Sequence, residues 1–177
     1  MKTKLFLISL LLSTFSMFSK PVNPSLGELR SQYLKALSDY LNAPKVYDLF
    51  LSVEEPSAKM LAYQGALEAI MTKTTWNVFK KMSYLNKCEE SFQKAIQLSP
   101  YDLEIRYMRL AVQFEIPGYL GFSDDMETDK KFILKHVNNL SSENIPESLK
   151  DQIISFMNRC EMFTSSEIEK VKVILIP

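Results

Sequence analysis

Two arginines and a glutamine form a polar stripe on one predicted helix. Arg106, Arg109 and Gln113 stand at positions i, i+3 and i+7, a spacing that places side chains on one face of an α-helix. A guanidinium group can donate two parallel hydrogen bonds to one carboxylate, so two arginines on one face could hold an acidic group of a partner. The alternative is an ordinary solvated helix face. The spacing therefore gives a candidate binding face with both interpretations open.

The segment after this helix carries several large apolar side chains in a short loop. Residues 116–122 read IPGYLGF and include two of the four glycines. Tyr119 and Phe122 could be aromatic anchors of a binding loop, since aromatic residues often dominate the energetics of interfaces. The alternative is a loop that folds back and closes the end of the helical layer. Both interpretations predict a positive φ angle at Gly118 or Gly121.

Residues 124–129 (DDMETD) form an acidic cluster. A calcium loop that began at Asp125 would need glycine at its sixth position and an acid at its twelfth, where this chain has lysine and histidine. Acids at the start of a helix are stabilised by its unpaired N–H groups and its dipole. The cluster therefore predicts a helix start, with Asp124 and Glu127 as a capping box.

No spacing of reactive residues indicates catalysis. The sequence has no glycine-rich phosphate loop, no paired-cysteine zinc motif, no zincin signature and no nucleophile elbow. Nothing around the single histidine, His136, suggests a catalytic triad. We therefore expect no catalytic residue, no metal and no cofactor. A carboxylate-dependent hydrolase would need two acids that converge in a pocket with perturbed pKa values.

The N-terminus has the layout of a secretory signal peptide. Lys2 and Lys4 precede an uncharged apolar run over residues 5–18. Small residues suit cleavage after Ser16 or after Ser19, and we take residues 1–19 as the leader, which predicts export to the periplasm or outside the cell. An uncleaved membrane anchor is the alternative, and no membrane insertion is expected once the leader is removed.

The overall charge gives no sign of a strongly charged partner. Without the leader the chain has 19 basic and 21 acidic residues, a net charge near −2. This balance provides no electrostatic footprint for nucleic acid. It also argues against an anionic membrane surface as the main partner.

The two cysteines, Cys88 and Cys160, match no metal or redox motif. Export would permit a disulfide between them. Each also falls on the apolar stripe of its own predicted helix, and free cysteine is among the most buried residue types. Two separate core thiols are therefore the preferred interpretation.

Prolines and capping signals divide the rest of the chain into seven or so amphipathic helices. Ser25 and Glu28 predict the first start as a capping box, and the apolar stripe of that helix runs on through Leu37 and Leu41. Residues 72–82 could be helical or irregular, since their β-branched start is a poor helix interior. Residues 167–176 are rich in β-branched side chains but keep helical spacing, so a short helix is favoured over a strand. Short links between helices with one apolar stripe require antiparallel pairs. We expect one all-α domain of helical hairpins over residues 20–177.

The spacing Cys88, Phe92, Ala95, Pro100 resembles the second helix of a tetratricopeptide repeat. In that family a small residue, an aromatic, an alanine and a proline recur at intervals of four, three and five. The first helix of the pair should carry a small residue about twelve positions before Cys88, where Trp76 stands; Gly65 would serve better but lies further away. The resemblance covers residues 60–138 and implies hairpins stacked as a short right-handed array with a concave groove.

The resemblance also implies a function. In such arrays the first helix of each pair lines the groove, which would place Arg106, Arg109 and Gln113 there. We therefore expect an exported scaffold that binds a protein or peptide through this face and the adjoining loop from Tyr119 to Phe122. A carrier of a small apolar ligand is the first alternative, because aromatic and Met-rich helices could enclose a cavity. The carboxylate-dependent hydrolase is the second.

Overall fold

The structure is a computed structural model that describes residues 24–138 and 146–176. Within these ranges the chain is all-α, as predicted. Three short 3-10 turns, at Tyr40–Asn42, Thr72–Thr74 and Gly118–Leu120, lie between helices. The α-helices of the described ranges are α1 (Leu26–Ser38), α2 (Ala43–Leu51), α3 (Ala58–Met71), α4 (Val78–Leu98), α5 (Leu103–Glu115), α6 (Met126–His136), α7 (Glu147–Arg159) and α8 (Ser165–Leu175). The predicted leader, residues 1–19, lies outside the described residues.

Local signals place several helix ends. The capping box at Ser25 is confirmed, because its Oγ accepts from the N–H of Glu28 at 3.3 Å and Glu28 Oε2 accepts from the N–H of Ser25 at 2.7 Å. The C-terminal segment is helical, as favoured, and its capping box is formed by Thr164 and Glu167. Proline occupies the first turn of α2, where its missing N–H costs no hydrogen bond.

Two expectations about local structure are wrong. Asp124 and Glu127 form no capping box, since α6 begins after Asp125 and has no side-chain cap. The stripe predicted to run through Leu37 and Leu41 is also incorrect, because α1 ends at Ser38 and both leucines are exposed. The helical spacing of apolar residues continues beyond Ser38, but the α-helical backbone ends at that residue.

Helices that follow one another in the chain pack together. α1 contacts α2, α5 contacts α6, and α7 contacts α8, while the most extensive pairing is that of α3 with α4. α3 also packs against both α1 and α5. An edge-to-face contact between Tyr107 and Phe156, with ring centroids 5.7 Å apart, joins α5 to α7. Each helix thus buries its apolar stripe in one continuous core.

Gly65 marks a close approach of α3 to α4. A Cβ atom at Gly65 would lie 3.1 Å from the carbonyl oxygen of Cys88 and 3.2 Å from Cδ2 of Phe92. The small residue that faces Cys88 is therefore Gly65 and not Trp76. The additional residues between Gly65 and Cys88 include the first part of α4, which is 21 residues long. In this part Val78, Phe79 and most of the next turn are exposed.

Buried carboxylates connect neighbouring hairpins. Glu104 of α5 accepts hydrogen bonds from Arg30 Nη2 of α1 at 2.6 Å and from Tyr63 Oη of α3 at 2.7 Å. Lys59 Nζ lies 3.1 Å from the same carboxylate. A buried acid is tolerated when it is paired and hydrogen-bonded, so these contacts fix the mutual positions of three helices.

Glu68 of α3 forms a second connection of this kind. It accepts from Tyr47 Oη of α2 at 3.0 Å and from Ser91 Oγ of α4 at 2.8 Å.

Both cysteines are also buried and carry free thiols, as preferred from the sequence.

Candidate functional site

The guanidinium group of Arg109 is engaged within the chain. Its Nε donates to Asp129 Oδ2 at 2.7 Å and its Nη2 donates to Asp129 Oδ1 at 2.8 Å. Its Nη1 donates to Asp125 Oδ2 at 2.7 Å. Arg109 is only 7% exposed, and Asp129 is fully buried. The interpretation as a solvated helix face is therefore wrong for Arg109, whose donors face α6.

Arg106 shares the same carboxylate. Its Nη1 donates to Asp129 Oδ1 at 3.0 Å, and its Nη2 donates to the carbonyl oxygen of Pro100 at 3.2 Å. The guanidinium carbon lies 4.9 Å from the centroid of the Phe132 ring, which adds a cation–π contact. Two residues of the predicted site are thus brought together, but around an acid of this chain.

The predicted binding loop has a defined conformation. Gly121 has φ +77°, and its N–H donates to the carbonyl oxygen of Gly118 at 3.1 Å. The expectation of a positive φ is confirmed at this glycine. Tyr119 is 88% exposed, whereas Phe122 is partly buried. The interpretation as a plug therefore fits Phe122, and that of an exposed aromatic anchor fits Tyr119.

Phe122 and Gln113 line a small cleft between α4, α5 and the loop, together with Phe92 and Asp125. The cleft offers about 10 Å³ to a water-sized group. Gln113 Nε2 donates to Asp125 Oδ2 at 3.5 Å, but its buried Oε1 has no hydrogen-bond partner among the described residues. A buried acceptor without a partner is uncommon and costs free energy, so this atom is available to a donor that enters the cleft.

A second exposed surface was not recognised from the sequence. Trp76 and Phe79 are 96% and 87% exposed, and Val78 between them is also exposed. The 3-10 turn Tyr40–Asn42 packs beside the turn Thr72–Thr74 and adds exposed Leu41. We call residues 76–79 and Leu41 the α4 tip. The sequence signal was the ambiguity of residues 72–82, where large apolar side chains do not continue a clean stripe.

The buried acids do not form a hydrolytic pair. Glu68 and Glu104 occupy separate hydrogen-bonded clusters. Burial on its own would raise the pKa of Glu104, but hydrogen bonds from Arg30 and Tyr63 and the charge of Lys59 bring it below its usual value. A carboxyl with a lowered pKa is a poor general acid near neutral pH.

The described ranges contain neither a metal-binding cluster nor a helix that could span a membrane. In residues 24–138 and 146–176, no group of three His, Cys, Asp or Glu side chains could hold a metal ion. No helix in these ranges has the length and apolar character required to cross a membrane. An open groove of about 690 Å³ between α1 and α2 is lined mainly by polar residues such as Lys35, Asp39 and Lys45. Because the groove is open to solvent and flanked by charged side chains, it is not the enclosed apolar cavity that an apolar ligand would need.

Comparisons of this chain with protein-family models, with curated proteins and with solved structures found no match.

Proposed function

We propose that this chain is an exported scaffold that binds a protein or peptide through the loop of residues 117–122 and the adjoining end of α5. The observation that carries the proposal is Tyr119, which is 88% exposed on a loop fixed by hydrogen bonds. Tyrosine offers a large amphipathic surface with few rotatable bonds, which suits an interface anchor.

The conformation of the loop supports this role. The N–H of Leu120 donates to the carbonyl oxygen of Pro117 at 3.0 Å, and Gly121 closes the turn in the left-handed region. A loop that is ordered before binding loses less conformational entropy when a partner docks. The loop therefore holds Tyr119 in an exposed position before a partner binds.

Gln113 supplies a polar contact next to this anchor. Its unpaired Oε1 lies in the cleft that Phe122 also lines. An N–H donor of a partner, reaching into a space of about 10 Å³, would satisfy it. The cleft is too small for a drug-sized ligand, which speaks against a carrier that uses this site.

Arg106 and Arg109 then have a different role from the one expected. Their hydrogen bonds to Asp129 hold α6 against α5. Arg109 also donates to Asp125, which accepts a hydrogen bond from Gln113. We assign them as positioning residues of the binding surface. The partner-facing groups of the site are Gln113, Tyr119 and Phe122.

The pairing of the helices supports a tetratricopeptide-like array as the scaffold, and we propose that it is right-handed, as in that family. Four consecutive pairs of helices, from α1 with α2 to α7 with α8, each pack together. The first helices of neighbouring pairs also touch, since α3 contacts both α1 and α5. Gly65 faces the second helix at Cys88 as a small residue does in that family, although it lies further from Cys88 along the chain. A leader at residues 1–19 would deliver this scaffold to the periplasm or the exterior.

The proposal is tested by site-specific crosslinking. A photoreactive amino acid at position 119, in protein recovered from the exported fraction, should crosslink one protein that mass spectrometry can identify. The matched control is position 101, because Tyr101 is 79% exposed at the turn between α4 and α5. With the purified partner, Tyr119→Ala should raise Kd roughly thirtyfold and Tyr101→Ala should not change it. Equal crosslinking at both positions, or no effect of Tyr119→Ala, would remove the loop from the proposal.

A further inference from the structure

The α4 tip exposes more large apolar surface than a solvated helix start requires. Trp76 precedes α4, and Val78, Phe79 and Met82 share one side of its first two turns at positions i, i+1 and i+4. All four side chains are exposed. An exposed cluster of this kind marks a surface that meets another apolar phase.

The stretch of chain that carries Trp76, Val78 and Phe79 has charges of one sign. Lys73, Lys80, Lys81 and Lys87 lie in a stretch of residues 69–88 that contains no acid. Lys81 Nζ lies 5.8 Å from the centroid of the Trp76 ring. The local charge is therefore about +4 at neutral pH, although the whole chain is close to neutral.

The neighbouring turn adds apolar surface next to the same lysines. Leu41 is exposed there, and Tyr40 is partly so. The nearest acid of that turn, Asp39, has its two carboxylate oxygens accepting from the N–H of Leu41 at 3.1 Å and from Asn42 Nδ2 at 3.0 Å. Asp39 thus serves as a cap of the turn.

We propose that the α4 tip docks the protein on an anionic lipid bilayer, with Trp76 and Phe79 in the interface and the lysines against lipid head groups. Tryptophan is enriched at membrane–water interfaces, and lysine side chains can reach head groups while their stems cover apolar surface. Each lysine near an anionic leaflet adds to the electrostatic attraction. The proposal goes beyond the protein-binding loop, because it concerns a different surface.

A lipid surface explains this composition better than an acidic protein does. Protein interfaces are enriched in arginine and depleted in lysine, whereas the stretch of residues 69–88 that carries most of the tip has four lysines and no arginine. Bidentate recognition of a carboxylate also needs the planar group of arginine. Diffuse attraction to phosphate head groups needs only positive charge.

The chain offers a direct probe, because Trp76 is its single tryptophan. Protein recovered from the exported fraction is titrated with vesicles of phosphatidylglycerol and phosphatidylcholine, and with vesicles of phosphatidylcholine alone. We expect a blue shift of Trp76 fluorescence and protection from iodide quenching with the anionic vesicles. We expect both effects to weaken as salt is added, since the attraction is electrostatic.

Two variants separate the charge from the apolar anchors. Lys73→Gln/Lys80→Gln/Lys81→Gln keeps Trp76 and should weaken binding to anionic vesicles roughly one hundredfold. Phe79→Ser should weaken it about tenfold or more through the loss of apolar burial. These side chains are largely exposed, so both variants should remain folded by circular dichroism.

Matched controls use exposed residues elsewhere. Lys94→Gln/Lys131→Gln/Lys135→Gln removes the same charge from α4 and α6, and should change binding by less than about threefold. Tyr119→Ser removes an exposed aromatic of the loop and should leave vesicle binding unchanged. Failure of the lipid proposal is thereby distinguishable from failure of the loop proposal.

The proposal is overturned if anionic vesicles leave Trp76 as exposed as it is in buffer. It is also overturned if both lysine triple variants lose affinity equally, because the binding would then follow net charge and not the tip. A third contrary result would be tighter binding to a polyglutamate peptide than to anionic vesicles, if Lys73→Gln/Lys80→Gln/Lys81→Gln weakens that binding as well. That result would assign the tip to an acidic protein.

Discussion

Arg109 and Asp129 form a two-point ion pair that holds α5 against α6, with Nε to Oδ2 at 2.7 Å and Nη2 to Oδ1 at 2.8 Å. The carboxylate is fully buried and also accepts from Arg106. Both partners come from the same chain and lie 20 residues apart. The sequence suggested that Arg109 would bind the carboxylate of another molecule. The structure forms the same bidentate pair with a carboxylate of this chain.

Removal of Asp129 should therefore destabilise the fold. Asp129→Ala removes the carboxylate that Arg106 and Arg109 share and leaves Arg109 with Asp125 alone, and we expect a loss of about 3–5 kcal/mol in the free energy of unfolding. Urea denaturation followed by circular dichroism measures it. The control Asp124→Ala removes an exposed acid two residues before α6 and should cost less than about 0.5 kcal/mol. Similar losses in both variants would contradict a specific role for the pair.

Gly65 should be intolerant of a methyl group. Gly65→Ala gains about 1 kcal/mol from helix propensity, but overpacking against the backbone of Cys88 and the ring of Phe92 costs about 1–3 kcal/mol. We expect a net destabilisation in urea denaturation. Gly27→Ala in α1 is the control, because a Cβ there meets only Ser25 Oγ at 4.0 Å, and it should stabilise the protein. The same sign of change for both variants would refute the close approach of α3 and α4.

The stability of the protein should fall in acid partly through Glu104. Its pKa in the folded state lies below the usual value of 4.5, since its hydrogen bonds to Arg30 and Tyr63 outweigh the effect of burial. A depressed folded-state pKa contributes stability above the unfolded pKa, and this contribution is lost as pH falls through the folded value. Between about pH 6 and pH 3 the native chain should lose more stability than Glu104→Gln does.

Urea unfolding at each pH measures this difference. The control is Glu90→Gln on the exposed side of α4, which should keep the native pH profile. The Glu104→Gln variant should also be less stable than the native chain at neutral pH, because it removes a buried charge partner of Arg30. Parallel profiles for the native chain and Glu104→Gln would contradict the assignment.

The thiols of Cys88 and Cys160 should be unreactive in the folded protein. Both are buried, and burial raises the pKa of the Cys88 thiol, so the reactive thiolate is scarce. An alkylating reagent at neutral pH should label neither residue until denaturant is added, after which it should label both. Mass spectrometry of the native chain and of Cys160→Ser checks each residue separately. Denatured protein with no free thiol would show that the two cysteines are joined after all.

The sequence by itself determined which segments are helical and where most of them end. Caps such as Ser25 and breaks such as Pro100 act on the backbone within a few residues, so their effect is independent of the rest of the fold. The motif at Cys88, Phe92 and Ala95 likewise identified the packing face of α4, because helical spacing alone brings those side chains together. The all-α class follows from these local rules.

Only the tertiary structure decided what each face meets. Helical spacing puts Arg109 on one side of α5, but the carboxylate opposite it depends on how the chain turns between α5 and α6. Equally, the exposure of Leu41 and Trp76 depends on where α1 ends and how far α4 extends beyond α3. Residue type fixes the free energy that burial would bring, whereas long-range packing decides whether a partner surface is there to bury it.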